Sequence, residues 1–461
     1  MAAAAMEVIS NFILKPSPST SLPNINHLPN SVTPLTVFDR AAGNFHFPVL
    51  MAFRSTMPSN SVLTESLSRV LAPYPHLAGT IDYDSRSGPS FVLNNAGVRL
   101  VETRVNVPMD EKDLIHDPTT HGSLYPRVHD RAKEVFQVQL NRYACGGMVI
   151  GFTASHTVAD GHSMFRFLAR WVEAARGLAA AAPPPPPSPP PYYNVDRNSL
   201  FVPRNPPACK YDHRETESKQ LVNMKSAAAA RSPVDNLTVQ FPAEFISELK
   251  RRVPYRCTTF ECLLAHVWKK IVIARGHDHD ERTRLRIAVN GRGKMRPVVP
   301  MDYFGNVVCW ALPTSQVGEV VSNDVGNNVS TIRKAVKQLD DSYFRSFIDF
   351  GEILDKEGGD EELMVTAEEW GDLIYPDIEV DSWLGFPMND MDFGTGGAKV
   401  VLPPDVPVEG VVTLVDSFGD GEKGGVNVYL TLRREHVDKF TSICLSRLIK
   451  LDRPFQYQYA S

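Results

Sequence analysis

The stretch "SHTVADGHS", Ser155 to Ser163, gathers two histidines, one aspartate and two serines into nine residues. Three readings fit those residue types. Imidazole has an ordinary pKa near neutrality, so His156 suits a general base. His156, Asp160 and His162 could instead ligate a metal, though their spacing matches no established metal motif. The third reading is local, with His156 in a turn and Asp160 as a helix N-cap. A serine nucleophile is excluded on pattern, because "GHSMF" is not G-x-S-x-G.

The flanks say which elements must position this cluster. "MVIGFTA", Met148 to Ala154, is a short apolar run that reads as a buried strand. After the cluster, Met164, Phe165, Phe167, Leu168, Trp171, Val172 and Ala175 recur with helical spacing, and Gly177 offers a stop. The cluster therefore sits between a strand's carboxyl end and a helix start, where open α/β sheets form ligand crevices.

The same pattern of strands and helices extends along the chain. Ser61 to Gly79 reads as a helix ending near Pro73, Phe91 to Asn106 as a hairpin, and "VFQVQLNRYACGGMVIGFTASH" as two strands around Gly146 and Gly147. A strand at "NLTVQF", helices at "AEFISELKRRV" and "TTFECLLAHVWKKIVIARG", and strands at "RLRIAVN", "IEVDSWLGF", "VEGVVTLVDSF" and "GGVNVYLTL" follow. Between the two series lie eight prolines around one serine, Pro183 to Pro191, which favour an extended polyproline connector. The chain thus divides into an α/β domain over 1–178, a Pro/Ala-rich crossover over 179–235 and a second α/β domain over 236–461, each built on a mixed sheet.

Composition narrows the function classes. The chain has 461 residues, 43% hydrophobic and 22% charged, with a net charge of −5. Such a balance gives no global basic field for nucleic acid or anionic membrane. Six scattered cysteines without a CxxC pair indicate neither a disulfide framework nor a zinc knuckle, and fit a reducing compartment. The start "MAAAAMEVISNFILK" lacks a signal peptide's pattern, and no run approaches a membrane span. The expectation is a cytoplasmic monomer with no bound cofactor, no metal and no membrane or nucleic-acid partner.

"HTVADG" matches the H-x-x-x-D-G motif of the BAHD acyltransferases, and "DFGTG", Asp392 to Gly396, sits where that family carries D-F-G-W-G. "NGRGKMRPVVPMDYFGN" resembles the loop between those motifs. With "PDIEVDSW", "SYFRSFIDF" and "PVEGVV", the chain most resembles the grass agmatine coumaroyltransferases and related hydroxycinnamoyl-CoA amine N-acyltransferases. Thr395 replaces the second motif's usual tryptophan, which argues against shikimate or quinate as acceptor.

The resemblance implies two similar α/β domains with a channel between them, acyl-CoA as co-substrate and an amine as acceptor. His156 would be the base for direct attack on the thioester, with no acyl-enzyme. Asp160 would pair with Arg292, and Asp392 and Gly394 would be structural. Trp383 would donate its indole N–H to the oxyanion. Strand alternation places Glu379, Asp381 and Trp383 on one face, so the two carboxylates are expected to line the acceptor pocket. A pair of carboxylates favours a dicationic acceptor, agmatine or putrescine. Tryptamine, an alcohol acceptor and a silent binding module are the alternatives. For CoA's phosphates, Lys250 and Arg256, with Arg251 and Arg252 beside them, precede a helix starting near Thr258 and Thr259. A solvated basic face is the competing reading.

Overall fold

The computed structural model describes residues 6–17, 31–54, 57–83, 88–116, 118–128, 133–179, 197–216, 218–219, 233–357, 362–363, 376–418 and 424–445. The polyproline tract lies outside the described residues. Two compact units emerge. One comprises Met1–Pro203, Val298–Val307 and Gly385–Pro404; the other comprises Arg204–Pro297, Val308–Leu384 and Asp405–Ser461. The units are therefore not the contiguous spans read from the sequence. Two later segments return to the first unit, and one of them carries "DFGTG". The reason is pairing: Val400–Leu402 adds antiparallel to the edge of strand His46–Phe53.

The first unit's main sheet runs, in spatial order, Met6–Leu14, Val98–Val105, Phe136–Tyr143, Met148–Ser155, His46–Phe53 and Val400–Leu402. One of its pairings is parallel, Val98–Val105 with Phe136–Tyr143, so the sheet is mixed. Strand Met148–Ser155 is buried at every position, because it has a partner on each side and helices or loops on its faces. Gly151 lies where loop backbone approaches it closely; a Cβ there would sit 2.0 Å from the Leu124 carbonyl oxygen. The helix after the turn spans Gly161–Ala179 and buries the apolar positions expected of it, running past Gly177.

The hairpin read over Phe91 to Asn106 does not form. Ser90–Leu93 pairs in a small sheet with Ser31–Pro34 and Thr80–Asp82, whereas Val98–Val105 pairs with Met6–Leu14 in the main sheet. The turn between them is held by Ala96 N–H on Asn94 Oδ1 and Gly97 N–H on the Ala78 carbonyl, which redirects the chain between sheets.

The second unit's sheet runs Val234–Phe241, Val426–Arg433, Val411–Asp416, Ile378–Ser382, Arg282–Asn290 and Val308–Ala311. Strand Ile378–Ser382 is parallel to both neighbours. Its two faces differ in chemistry. One presents Leu285, Ile287, Ile378, Val380, Val412, Leu414, Val428 and Leu430, all buried. Helix Thr259–Arg275 covers that face, with Trp268 Nε1 donating to Thr283 Oγ1 at 3.0 Å. The other face carries Arg286, Glu379, Asp381, Thr413 and Tyr429, aligned by the strand register. Among the described residues no helix is long and apolar enough to cross a membrane.

Gly151→Ala tests the packing that fixes the histidine strand. Forcing a methyl against the Leu124 carbonyl should destabilise the protein by about 1–3 kcal/mol, as overpacking does. Thermal melting should show it as a lowered Tm.

Candidate active site

His156 follows the last residue of the buried strand. Its N–H donates to the Phe45 carbonyl at 2.9 Å, and its ring stacks on Phe45 and tilts against Phe47, with centroids 5.1 and 5.3 Å away. Its Nδ1 is buried and has no hydrogen-bond partner among the described residues. Burial holds the imidazole pKa below its ordinary value of 6.5, against an opposing pull from the Asp160 charge. A neutral imidazole at neutral pH is the form that can accept a proton.

Asp160 binds backbone at two places. Its Oδ1 accepts the Ser163 N–H at 2.9 Å, capping the helix, and its Oδ2 accepts the Val307 N–H at 3.1 Å. Segment Tyr303–Val307 is pinned further by Ser163, whose Oγ donates to the Gly305 carbonyl at 2.9 Å. His162 is in the first turn of that helix, with a ring nitrogen 2.9 Å from the Met301 carbonyl.

Asn306 joins this turn to a buried ion pair. Its amide donates to the carbonyls of His156 and Thr157, at 2.9 and 3.1 Å, and to Asp39 Oδ1 at 3.0 Å. Asp39 also takes Arg197 Nη1 at 3.1 Å, both side chains being 1% exposed or less, and it completes a capping box with Thr36. The Arg197 guanidinium lies over Phe91, 4.7 Å from the ring centre. The sequence reading missed Asp39 and Arg197. A usable signal existed in "LTVFD", where Thr36 and Asp39 have capping-box spacing.

The second motif is a backbone turn. Asp392 Oδ1 accepts the N–H groups of Gly394, Thr395 and Gly396 at 2.8, 3.0 and 2.9 Å. Burial works to raise this carboxyl, but the three N–H groups and the Arg176 charge outweigh it and hold its pKa low. Gly394 and Gly396 have φ of +94° and +108°, which side-chain-bearing residues rarely adopt. Phe393 is buried edge-on against Phe53 and Trp171. Thr395 Oγ1 reaches Met57 Sδ at 3.8 Å.

On the polar face of the second unit, Glu379 Oε2 accepts from Arg286 Nη1 at 2.8 Å, with both side chains 3% exposed. The Arg286 guanidinium carbon lies 4.5 Å from the Trp310 ring centre. Two residues along, Asp381 is half-buried on the same face, opposite Thr413, which is opposite Tyr429. The Asp381 carboxyl is pushed up to about 7, chiefly by loss of water and then by the Glu379 charge, with Arg286 pulling the other way. Burial likewise holds the Tyr429 phenol protonated. Trp383 is half-buried just past the strand, its backbone N–H on the Leu414 carbonyl at 2.9 Å. Arg292 is fully buried in this unit, with Nη1 on Asn290 Oδ1 at 3.2 Å. Arg286 and Trp310 had no signal in the sequence; only the strand register brings them to the acidic pair.

The basic segment before helix Thr259–Arg275 is less open than expected. Thr258 caps the helix in a box with Glu261, so its hydroxyl is engaged internally. The Glu261 carboxylate thus occupies the helix start, lowered to about 2 chiefly by its hydrogen bonds from Arg333. Arg251 and Arg252 pair with Glu248. Lys250 Nζ donates to Thr259 Oγ1 at 2.8 Å, and the Arg256 side chain is exposed. An incoming anion would meet Lys250 and Arg256, while Thr258 is a helix cap.

Residues 6–444 match the model of the Transferase family. The chain is 43% identical over 450 residues to tryptamine hydroxycinnamoyltransferase 2 of rice, covering 96% of this chain and 99% of that protein. The chain is a BAHD acyltransferase. Rice tryptamine benzoyltransferase 1 is 41% identical over 96% of this chain and 98% of its own length; barley agmatine coumaroyltransferase-1 is 38% identical over 90% and 93%. In fold this acyltransferase resembles vinorine synthase, with a TM-score of 0.69 at 20% identity over 94% and 96% of the two chains. It also resembles Fusarium graminearum TRI101 complexed with coenzyme A and T-2 mycotoxin, with a TM-score of 0.71 at 19% identity over 89% and 97%.

Two substitutions probe the turn. Asp160→Ala removes a helix cap and strands the buried Val307 N–H, and should cost about 2–4 kcal/mol. Asp160→Asn keeps an acceptor and should recover part of that loss in a urea titration. Asp392→Ala frees three backbone N–H groups and should cost about 1–3 kcal/mol, measured in the same way. Because the folded Asp392 carboxyl is lowered, its stabilisation is full above its unfolded pKa and is lost as pH falls through the folded value.

Proposed function

We propose that this acyltransferase moves an aromatic acyl group from acyl-CoA to the primary amine of an arylalkylamine of the tryptamine type. The carrying observation is the Arg286–Glu379 pair. The sequence reading gave both Glu379 and Asp381 to a dicationic acceptor. Glu379 already has a cation of its own, and Asp381 is raised to about 7, so the face offers little charge for a second ammonium or a guanidinium. Around it stand Trp310, Trp383 and Tyr429, side chains that suit an aromatic acceptor. The curated relatives support the same order: those named for tryptamine are 40–43% identical, those named for agmatine or putrescine 32–38%.

In the proposed reaction the acceptor enters as the neutral amine, having left its ammonium proton to solvent. Its nitrogen lone pair adds to the thioester carbonyl carbon as the carbonyl π-pair moves onto oxygen, and His156 takes the one proton that the nitrogen then sheds. We assign the Trp383 indole N–H as donor to that oxyanion, because a donor aimed at developing charge is commonly the largest catalytic contribution. Collapse re-forms the carbonyl and expels the CoA thiolate, which takes the proton back from His156. The products are an amide and free CoA. Lys250 and Arg256 are the cations proposed for the CoA phosphates.

Kinetics with coumaroyl-CoA and benzoyl-CoA against tryptamine, agmatine and putrescine test this by release of the CoA thiol. Tryptamine should give the highest kcat/KM, by about tenfold or more, equivalent to about 1.4 kcal/mol. Agmatine equal to or better than tryptamine would overturn the acceptor assignment. His156→Ala should lower kcat by about 10²–10⁴. Since burial lowers the His156 pKa, wild-type kcat at saturating amine should keep its plateau below pH 6.5 and fall only in more acid buffer.

A further inference from the structure

We propose that Arg286 is the residue that sets the charge of the acceptor this face accepts, by neutralising Glu379 from within the sheet. The inference rests on the amine-acceptor reading above and adds a determinant to it.

The argument is one of charge count along a fixed row. Register puts Arg286 beside Glu379 across two parallel strands, and Asp381 follows on the same face. The row thus carries one guanidinium and two carboxylates. Its formal charge is −1 when Asp381 is ionised, which matches one cation. An arylalkylamine brings one ammonium. Agmatine or putrescine brings two charges, and the second finds the inner carboxylate already occupied at 2.8 Å. The row runs from half-buried Trp383 and Asp381 to buried Glu379 and Arg286, so an extended acceptor lying along it would direct its far end at that pair.

Arg286 is also held in place from its other side. Trp310 is opposite Ala288, two residues beyond Arg286 on the same face, and its ring lies 4.5 Å from the guanidinium carbon. The ring backs the guanidinium, whose Nη1 meets the carboxylate on the strand beside it. Replacing the guanidinium by an apolar group would fill the space beside Trp310 and take from the Glu379 carboxylate its Arg286 cation. The second charge of a dicationic acceptor could then take the place of the Arg286 cation, and the row would match two charges.

The test is acceptor kinetics with the full-length protein and coumaroyl-CoA, comparing tryptamine, agmatine and putrescine. Arg286→Met should raise kcat/KM for agmatine and putrescine relative to tryptamine by about tenfold or more, the worth of one desolvated charged contact. Most of that change should be in acceptor KM. Adding Glu379→Gln to Arg286→Met should abolish the gain, because the gain needs the released carboxylate. If Arg286→Met does not fold, Glu379→Gln alone decides. It takes one of the row's two negative charges away from the guanidinium and should raise KM for the two dications at least about fivefold more than for tryptamine. A folded Arg286→Met with an unchanged tryptamine-to-agmatine ratio overturns the proposal, as does a gain that persists in the double variant or an equal response of all three amines to Glu379→Gln. If wild-type protein acylates none of the amines, the acceptor reading itself fails; if it acylates tryptamine while the ratio stays fixed, the role of Arg286 alone fails.

Discussion

The first unit depends on where the two oxygens of one carboxylate go. Asp160 gives one to the start of the helix that follows the turn and the other to the backbone of Val307. Neither of these two bonds goes to the imidazole, on which Asp160 acts through its charge. His156 is thus a desolvated imidazole, held by burial below its ordinary pKa against the pull of that charge. Its position is set through its main chain, by the Phe45 carbonyl and the Asn306 amide, and its ring is held by two phenylalanines. Asn306 in turn takes its place from Asp39, whose second debt is to a buried arginine. A few hydrogen bonds to backbone thus convert a nine-residue turn into a rigid mount.

The second unit solves a different problem. One sheet must be apolar where helix Thr259–Arg275 packs and polar where substrate chemistry is proposed. Strand alternation supplies both at once, because each strand presents successive side chains to opposite faces. Placing carboxylates there is costly unless they are paired or neutralised. Both remedies occur two residues apart on one face of one strand: Glu379 is paired, and Asp381 is shifted toward its neutral form.

Much of this was legible before any coordinates. The strand–turn–helix around His156, the helix ending at Gly276 and the alternation of Ile378–Ser382 all follow from periodicity and stop residues, which are local properties. The motifs carried the family. What escaped was non-local. Arg286 reads as one more basic residue in a strand until the parallel register sets it against Glu379. Arg197 and Asp39 are 158 positions apart and meet only in the folded unit. The supposed hairpin after Phe91 failed for a related reason: local turn chemistry marked the reversal of the chain but not which sheet each strand would join. The basic stretch before Thr258 misled because charge on paper does not show which cations already have carboxylate partners.

The return of Val298–Val307 and Gly385–Pro404 to the first unit bears on how the molecule is made. A nascent chain can emit strand, turn and histidine early, yet the carboxamide that grips the turn is Asn306, and the strand that closes the sheet's edge is Val400–Leu402. Until those residues emerge from the ribosome, Asp160 has one oxygen without its backbone donor and the His46–Phe53 edge is bare. An unpaired edge is a template for the wrong partner. The first unit therefore stays open until Leu402 has been made, only shortly before the second unit's own last strands, and its dangerous interval lasts for most of translation.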